Sequence, residues 1–247
     1  MDNRIAIIGD IHGCIEELRE LHAKIVAEGV DAIYHLGDLV DRGPDSPAVV
    51  QFCRKNKILG VMGNHESSLL SLLDKSRSPH FDTEAVSQAK SERMKILAKL
   101  KSDDLTYLKA LPKLHLLESH QTVLVHGGLW PGRELWQQDR SILYLQVINP
   151  SRPHEIRWTS KFGEYSLEQS RAEGYAPWAE LYDGPQRIIY GHTVFEEPQI
   201  LGNTVGVDTG CVFGGKLTAV LLPDLRFISV KAGKAYALRK AGYEGES

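Results

Sequence analysis

The chain has 247 residues, of which 42% are hydrophobic and 25% charged, and its formal net charge at pH 7 is -3. This length allows one large core, so we expect a single domain over 1–247. Proteins that bind double-stranded nucleic acids normally carry a strongly basic surface, and the small negative net charge of this chain gives no sign of one. The charge therefore predicts a compact substrate and no stable nucleic-acid partner. No apolar run reaches the roughly 18 residues of a membrane span, and the N-terminus does not resemble a signal peptide, so we expect no membrane association and a cytoplasmic location.

The three cysteines give no sign of a metal or disulfide motif. Cys14, Cys53 and Cys211 are few, odd in number and widely spaced. Such a pattern indicates neither a disulfide framework nor a thiolate zinc site.

The first quarter of the chain alternates predicted strands and helices. The expected elements are a strand over 4–9, a helix over 15–26, a strand over 32–36, a helix over 46–53 and a strand over 57–62. This order predicts a parallel sheet covered by helices. Asp10, Asp38 and Asn64 each follow a predicted strand, and the carboxyl ends of parallel strands meet at one edge of a sheet. The pattern therefore predicts a site at that edge.

The rest of the chain is less regular. Residues 67–111 are helical and charged, with a break near 76–80, and predict either a peripheral helical insert, which we favour, or a lid. Strands are expected over 121–125 and 187–190, ending at His126 and His192. Between them, 129–180 contains all four tryptophans and predicts a long irregular loop. Short strands over 200–230 predict a second, more antiparallel sheet. The segment that follows, 232–247, is expected to form an exposed tail.

Six oxygen- or imidazole-bearing side chains follow predicted strand ends: Asp10, His12, Asp38, Asn64, His126 and His192. Such ligands suit two divalent metal ions, with manganese, iron or zinc as the ions that these ligand types favour and Ni, Co or Mg as further possibilities. In this arrangement one ion is held by Asp10 and His12. The other ion is held by Asn64, His126 and His192, and Asp38 bridges the two ions. Two such ions make a bridging hydroxide available for in-line attack on phosphorus.

Three further residues have the chemistry that phosphate-ester hydrolysis needs. His65 lies next to a predicted ligand and can protonate the leaving oxygen. Asp41 can orient the His65 ring and favour its charged form. Arg42 offers a planar fork of donors for the phosphoryl oxygens, whose charge grows in the transition state.

Five sequence blocks together resemble the calcineurin-like metallophosphoesterases of the phosphoprotein phosphatase superfamily. They are 9–13 (GDIHG), 37–43 (GDLVDRG), 63–66 (GNHE), 125–128 (VHGG) and 190–192 (YGH). The resemblance implies a four-layer α/β/β/α sandwich of two mixed β-sheets flanked by helices, and a two-metal centre for which Mn²⁺ is the first choice. It also implies metal ligands at the six positions above, an acid at His65 with its partner Asp41, and phosphate binding by Arg42 and Asn64. A second phosphate-binding arginine of the family corresponds to Arg157, with Arg152 as an alternative; Glu66 is interpreted as structural.

The substrate is less well defined by the sequence. The block 206–218 resembles small bacterial and phage members, which include serine/threonine phosphatases and bis(5'-nucleosyl)-tetraphosphatases. Symmetrical tetraphosphatases of enteric type often lack the acidic residue found here as Asp41, and an intact Asp41–His65 pair suits a poor alkoxide leaving group. A phosphomonoesterase of serine/threonine protein phosphatase type acting on phosphorylated proteins or peptides is therefore our first prediction. Hydrolysis of dinucleoside polyphosphates, with bases stacked on the tryptophans, is the alternative, and a catalytically silent binding module is a minor one.

Overall fold

The computed structural model describes residues 3–78, 87–157 and 170–238, with the backbone alone for 153–157. Within these ranges no helix is both long enough and apolar enough to cross a membrane.

The first sheet is mixed and has the strand order β13-β12-β1-β2-β3. Its strands are β1 (Ile5–Ile8), β2 (Ala32–His35), β3 (Leu59–Gly60), β12 (Lys216–Leu222) and β13 (Arg226–Lys231). As predicted, β1, β2 and β3 are parallel to one another, although the third strand is only two residues long. Strand β12 lies antiparallel to β1 on its other side.

Helices cover the outer face of this sheet. They are α1 (Ile15–Ala27), α2 (Ser46–Lys55), α3 (Asn64–Ser76), α4 (Gln88–Lys99) and α5 (Ser102–Ala110). The three- and four-residue spacing of Leu18, Leu21 and Ile25 places one face of α1 fully in the core. By contrast, α4 has no buried residue. In the described residues of the predicted helical region, 67–78 and 87–111, three helices are present, and the first of them begins at Asn64 in the site itself.

The second sheet is also mixed, with the order β10-β11-β9-β5-β4. It contains β4 (Leu114–Leu117), β5 (Thr122–Val125), β9 (Arg187–Tyr190), β10 (Gln199–Leu201) and β11 (Thr204–Gly206). The prediction that all strands over 200–230 form one second sheet is wrong, because β12 and β13 join the first. Residues Leu217 to Leu222 are all buried, and such an uninterrupted apolar strand fits the interior of a sheet with both faces covered.

Side-chain alternation along the strands builds the layers. On β1, Ile5 and Ile7 pack between the two sheets, whereas Ala6 and Ile8 pack against the helices. On β5, Leu124 points into the same inter-sheet core, and Val123 and Val125 face the opposite outer layer. The two sheets therefore stack face to face, as the predicted sandwich requires.

The outer layer on the second sheet corrects a prediction. The expected irregular loop over 129–180 contains a three-stranded sheet of order β7-β6-β8, two 3-10 turns and a short helix. These elements are β6 (Val147–Asn149), β7 (Arg152–Arg157), β8 (Ala176–Pro177), the 3-10 turns Leu135–Gln137 and Arg140–Leu143, and α6 (Trp178–Leu181). Trp130 and Trp178 are 4% and 1% exposed and form this layer's core, whereas Trp136 is 82% exposed. Trp158 lies outside the described residues.

The C-terminal segment is anchored through a buried group that the sequence did not reveal. Cys211 comes close to Cys14 and Glu17 although it is almost 200 residues further along the chain, with one ligand atom of each residue within 4.8 Å of the others. Glu17 Oε1 accepts hydrogen bonds from Gly233 N at 3.0 Å and from the Tyr236 hydroxyl at 2.8 Å. The start of the predicted tail is therefore tied to α1, and its described part ends at residue 238.

Candidate dinuclear metal centre

The predicted ligands converge where five strands end. Asp38 is the central group: its Oδ2 lies 3.4 Å from His12 Nε2, and its Oδ1 lies 3.4 Å from His126 Nε2. Two clusters of candidate ligand atoms share this carboxylate, one with His12 and His65 and the other with His126 and His192. Asp10 accepts from the His192 backbone N–H at 3.1 Å, and the Asn64 side-chain oxygen lies 2.8 Å from His126 Nε2. The structure therefore brings all six predicted ligands together.

The backbone at the site is held in a conformation that non-glycine residues rarely adopt. The angle φ is positive at His12 (46°), Asp38 (50°), Asp41 (69°), Arg42 (66°) and His192 (62°). Each such residue costs roughly 1–3 kcal/mol unless its surroundings enforce it. Gly63 shows how tight these surroundings are, because a Cβ there would lie 2.2 Å from Asp38 Oδ1.

Hydrogen bonds fix the orientation of the imidazoles. His12 Nδ1 donates to the Val40 carbonyl at 2.9 Å, which leaves Nε2 directed at Asp38. His126 contacts an acceptor on both sides, the Leu36 carbonyl at 2.8 Å from Nδ1 and the Asn64 side-chain oxygen at 2.8 Å from Nε2. Backbone carbonyls that hold the second ring nitrogen are a common feature of metal-binding histidines.

Asp208 joins the site although the sequence did not single it out. It is 4% exposed and follows β11, so it carried the same signal as Asp10 and Asp38, an aspartate directly after a strand. Burial, together with the nearby Asp38, raises the pKa of Asp208 to about 6. Burial and the charge of Asp208 likewise raise the pKa of Asp10 well above its usual range. The site therefore concentrates negative charge that is costly without a cation.

The histidines differ in charge. Burial lowers the pKa of His12 to about 3, and burial together with His126 lowers the pKa of His192 to about 3. For His126, burial acts in the same direction, but Asp38 and Asp10 outweigh it and raise its pKa to about 10. Burial also opposes ionisation of Asp38, yet His126 and His65 hold the pKa of Asp38 well below its usual range.

This donor set fits two divalent cations. Buried carboxylates, an amide oxygen and imidazoles converge, and these are the ligands of Mn²⁺, Fe and Zn sites. Asp10, His12, Asp38, Asn64, His126 and His192 would hold the ions, with Asp208 adjoining Asp10. When bound, such ions polarise a phosphoryl group and lower the pKa of water.

Metal binding is expected to release protons. At pH 7 His126 holds a proton because its pKa is about 10, and an imidazole must lose that proton to become a ligand. Mn²⁺ titrated into metal-free protein in weak buffer at pH 7 should release about one proton per chain or more. Binding without net release, compared with a blank titration of Mn²⁺ into the same buffer without protein, would contradict this assignment.

The dyad of His65 and Asp41 borders the ligands. His65 Nδ1 donates to Asp41 Oδ2 at 2.6 Å, and His65 Nε2 lies 3.9 Å from Asp38 Oδ2. Burial raises the pKa of Asp41, but the hydrogen bond from His65 and the charge of Arg93 outweigh it and keep that pKa below its usual value. Arg93, a second residue missed from the sequence, donates through Nε to Asp41 Oδ2 at 2.6 Å. The helical insert thus contributes directly to the dyad.

Of the arginines predicted to bind phosphate, only Arg42 has a described side chain beside the dyad. The Arg42 guanidinium lies 5.3 Å from the centre of the Phe213 ring, exposed beside the dyad. The Arg157 side chain is outside the described residues, and Arg152 is the exposed first residue of β7. Arg140 is a further candidate, because it donates to the Ser67 hydroxyl in the first turn of α3.

Glu66 supports the loop that carries Asp38. Its carboxylate accepts from the backbone N–H groups of Asp38 (2.7 Å), Leu39 (2.7 Å), Val40 (3.1 Å) and Gly63 (3.0 Å). The structural interpretation of Glu66 therefore agrees with its contacts, which are to this loop rather than to the dyad.

The exchange Glu66→Gln should lower stability. An amide has one acceptor oxygen and places N–H₂ against two of the four donors, which should reduce the free energy of unfolding by about 2 kcal/mol. Burial and Asp38 raise the pKa of Glu66 to about 7, so urea unfolding should be measured at pH 8.5, where the wild-type group is ionised. Glu118→Gln, at an exposed turn, is the control and should change little.

Comparison with known proteins defines the class. Residues 3–196 match the model of the calcineurin-like phosphoesterase family, and the chain therefore belongs to that family. It is a metallophosphoesterase, a hydrolase that acts on phosphate esters or anhydrides.

Individual relatives and solved structures show which members of this family the chain resembles. Bis(5'-nucleosyl)-tetraphosphatase PrpE (asymmetrical) of Anoxybacillus flavithermus is 29% identical over 252 residues, which cover 95% of this chain and 96% of that protein. The protein of the same name from Halalkalibacterium halodurans is 30% identical over 248 residues, or 91% and 92% of the two chains. A crystal structure described as a candidate diadenosine tetraphosphatase superposes with a TM-score of 0.74 at 28% identity, covering 94% of this chain and 95% of that one. A serine/threonine phosphatase from Saccharomyces cerevisiae, at 16% identity and a TM-score of 0.50 over 94% of this chain and 80% of that one, shares the fold alone.

Proposed function

We propose that the protein hydrolyses bis(5'-nucleosyl) tetraphosphates asymmetrically, giving a nucleoside monophosphate and a nucleoside triphosphate. The observation that carries this proposal is the likeness to the asymmetrical tetraphosphatases, which extends over more than nine tenths of both chains. The prediction of a protein phosphatase depends on a contrast with symmetrical tetraphosphatases, which often lack an acidic residue at the position of Asp41, and on the suitability of the Asp41–His65 pair for an alkoxide leaving group. That contrast does not separate a protein phosphatase from an asymmetrical tetraphosphatase.

The roles of the residues follow from their positions. The two cations, with Mn²⁺ as the first choice, would be held by the six ligands Asp10, His12, Asp38, Asn64, His126 and His192. Arg42 and Asn64 bind the phosphoryl oxygens and oppose the charge that accumulates on them. His65 holds a proton at Nε2 for the leaving oxygen, and Asp41 keeps the ring oriented through the bond at Nδ1.

A second candidate is a phosphomonoesterase of serine/threonine phosphatase type. The observation that favours it is the complete His65–Asp41 pair, joined at 2.6 Å, which suits a leaving group that needs a proton. A silent binding module is disfavoured, since ligands, acid and arginine are all present.

A direct rate comparison separates these candidates. The manganese-loaded protein should hydrolyse diadenosine tetraphosphate with a much higher kcat/KM than a phosphoserine peptide, and should turn over p-nitrophenyl phosphate measurably. Chelation should abolish all three activities. A preference for the phosphopeptide would establish the second candidate. If each diadenosine tetraphosphate instead gave two molecules of ADP, the cleavage would be symmetric and the proposal of asymmetric cleavage would be contradicted.

A further inference from the structure

A cavity of about 760 Å³ borders the dyad on the side of the helical insert. Its near end is lined by Asp41, Arg42 and His65, and it extends along α4 as far as Lys99. The residues of the metal centre around His126 and His192 do not line it. The cavity therefore begins at the acid and leads away from the cations.

One face of α4 supplies a basic wall to this cavity. Arg93, Lys95 and Lys99 line it together with Ile96, although α4 itself buries no residue. At about 1.5 Å per residue, Arg93 and Lys99 are separated by ~9 Å along the helix axis. Arg93, the first of these cations, also donates a hydrogen bond to Asp41, which is the partner of His65.

The carboxylates in the wall are already engaged. Asp41 binds both His65 and Arg93, Glu92 binds Lys95 at 2.7 Å, and Asp45 accepts from Ala48 N at the start of α2. In the described part of the chain, neither Arg42 nor Lys99 has a carboxylate within ion-pair distance. The cavity thus presents positive charge that an anionic ligand can neutralise.

Apolar side chains complete the cavity. Phe213, Pro44 and Ile96 line it beside the charged residues, and Phe213 also carries the Arg42 guanidinium on its ring face. A ligand that joins several phosphates to a flat apolar base matches both kinds of wall, because phosphates pair with cations and bases stack on aromatic surfaces.

From this arrangement we infer that the cavity holds the leaving group of the reaction, and that this leaving group is the nucleoside triphosphate. The inference rests on the proposed function. His65 protonates the leaving oxygen and lines the cavity, so the chain attached to that oxygen extends into it. The triphosphate portion carries most of the substrate's negative charge and therefore belongs beside Lys99, whose charge is not compensated by a carboxylate in the described part of the chain. Arg93 and Lys95 line the same wall but are already paired with Asp41 and Glu92.

This placement determines which phosphorus is attacked. The oxygen of water forms a bond to the phosphorus next to one nucleoside, the water loses one proton to the solvent, and the bond from that phosphorus to the bridging oxygen breaks. The bridging oxygen keeps the electron pair, takes a proton from His65 and departs as part of the triphosphate. Attack at the second phosphorus would give the same two products, but the monophosphate would then be the leaving group.

Labelled water distinguishes the two routes. Diadenosine tetraphosphate is hydrolysed by the manganese-loaded protein in water enriched in ¹⁸O, and both products are analysed by mass spectrometry. The label should appear in AMP. Label in ATP would overturn the inference, while hydrolysis of p-nitrophenyl phosphate without any cleavage of the tetraphosphate would instead overturn the proposed function on which it rests.

Two lysine variants on the same helix test the cavity itself. Lys99→Ala should lower the ratio of kcat/KM for the tetraphosphate to kcat/KM for p-nitrophenyl phosphate about tenfold, the loss typical of one charge-assisted contact. Lys90→Ala, at an exposed position of α4 that does not line the cavity, should leave the ratio unchanged. Both side chains are exposed, so both variants should unfold at the wild-type temperature. Equal ratios in the two variants would overturn the role given to the cavity.

Discussion

The exchange Asp38→Asn should reduce phosphohydrolase activity at least about 10³-fold, because each cation at such a site supplies several kcal/mol of transition-state stabilisation. Asp38 is the one carboxylate shared by both clusters of candidate ligands. Its two oxygens face different histidines, His12 and His126, each at 3.4 Å. An amide keeps the shape of the side chain but loses the charge that both cations require.

The measurement is kcat/KM with saturating Mn²⁺, together with bound manganese per chain by elemental analysis. The wild-type protein should retain about two ions, and the variant clearly fewer. Asp31→Asn is a matched control: Asp31 precedes β2, whereas Asp38 follows it, and the Asp31 carboxylate accepts only from the Arg4 backbone among the described contacts. A variant at Asp38 with wild-type metal content and activity would remove the basis of the dinuclear site.

The convergence of the site was predictable because it depends on a simple property of sheets. Asp10, Asp38 and Asn64 follow parallel neighbouring strands, so their side chains must meet at one edge. His126 and His192 follow β5 and β9, which are parallel neighbours in the second sheet. Stacking of the two sheets then brings both edges together, a step that only the resemblance to a known fold implied.

Other features depend on contacts that leave no local signal. Arg93 reaches Asp41 from a helix 52 positions further along the chain, and nothing in the charged pattern of α4 distinguishes this arginine from its neighbours. The third sheet includes strands of two and three residues, β8 and β6, which are too short for alternation to be recognised. The sequence of β12 predicts a strand but not the sheet to which that strand belongs. Its position beside β1 in the first sheet buries both of its faces.

The exchange His65→Asn should lower kcat about 10²–10⁴-fold on substrates whose leaving oxygen needs a proton, the usual contribution of general acid catalysis. The loss should be much smaller on p-nitrophenyl phosphate, since p-nitrophenolate is a stable anion that departs without protonation. His65 is held by Asp41 at 2.6 Å, with Nε2 directed to the ligand side of the site. Since Asp41 fixes the ring at Nδ1 and leaves Nε2 free beside the cluster of His12 and Asp38, we assign Nε2 the role of the proton donor.

A series of aryl phosphates with leaving groups of rising basicity makes this prediction quantitative. The rate of the variant should fall more steeply along the series than that of the wild-type protein, while His120→Asn, at the turn before β5, should follow the wild-type slope. Asp41→Asn should act in the same direction with a smaller loss, and adding it to His65→Asn should cost little more, because the carboxylate acts through the imidazole. A uniform loss across the series would instead mean that His65 positions the substrate or a cation, and the dyad would lose its role as the acid.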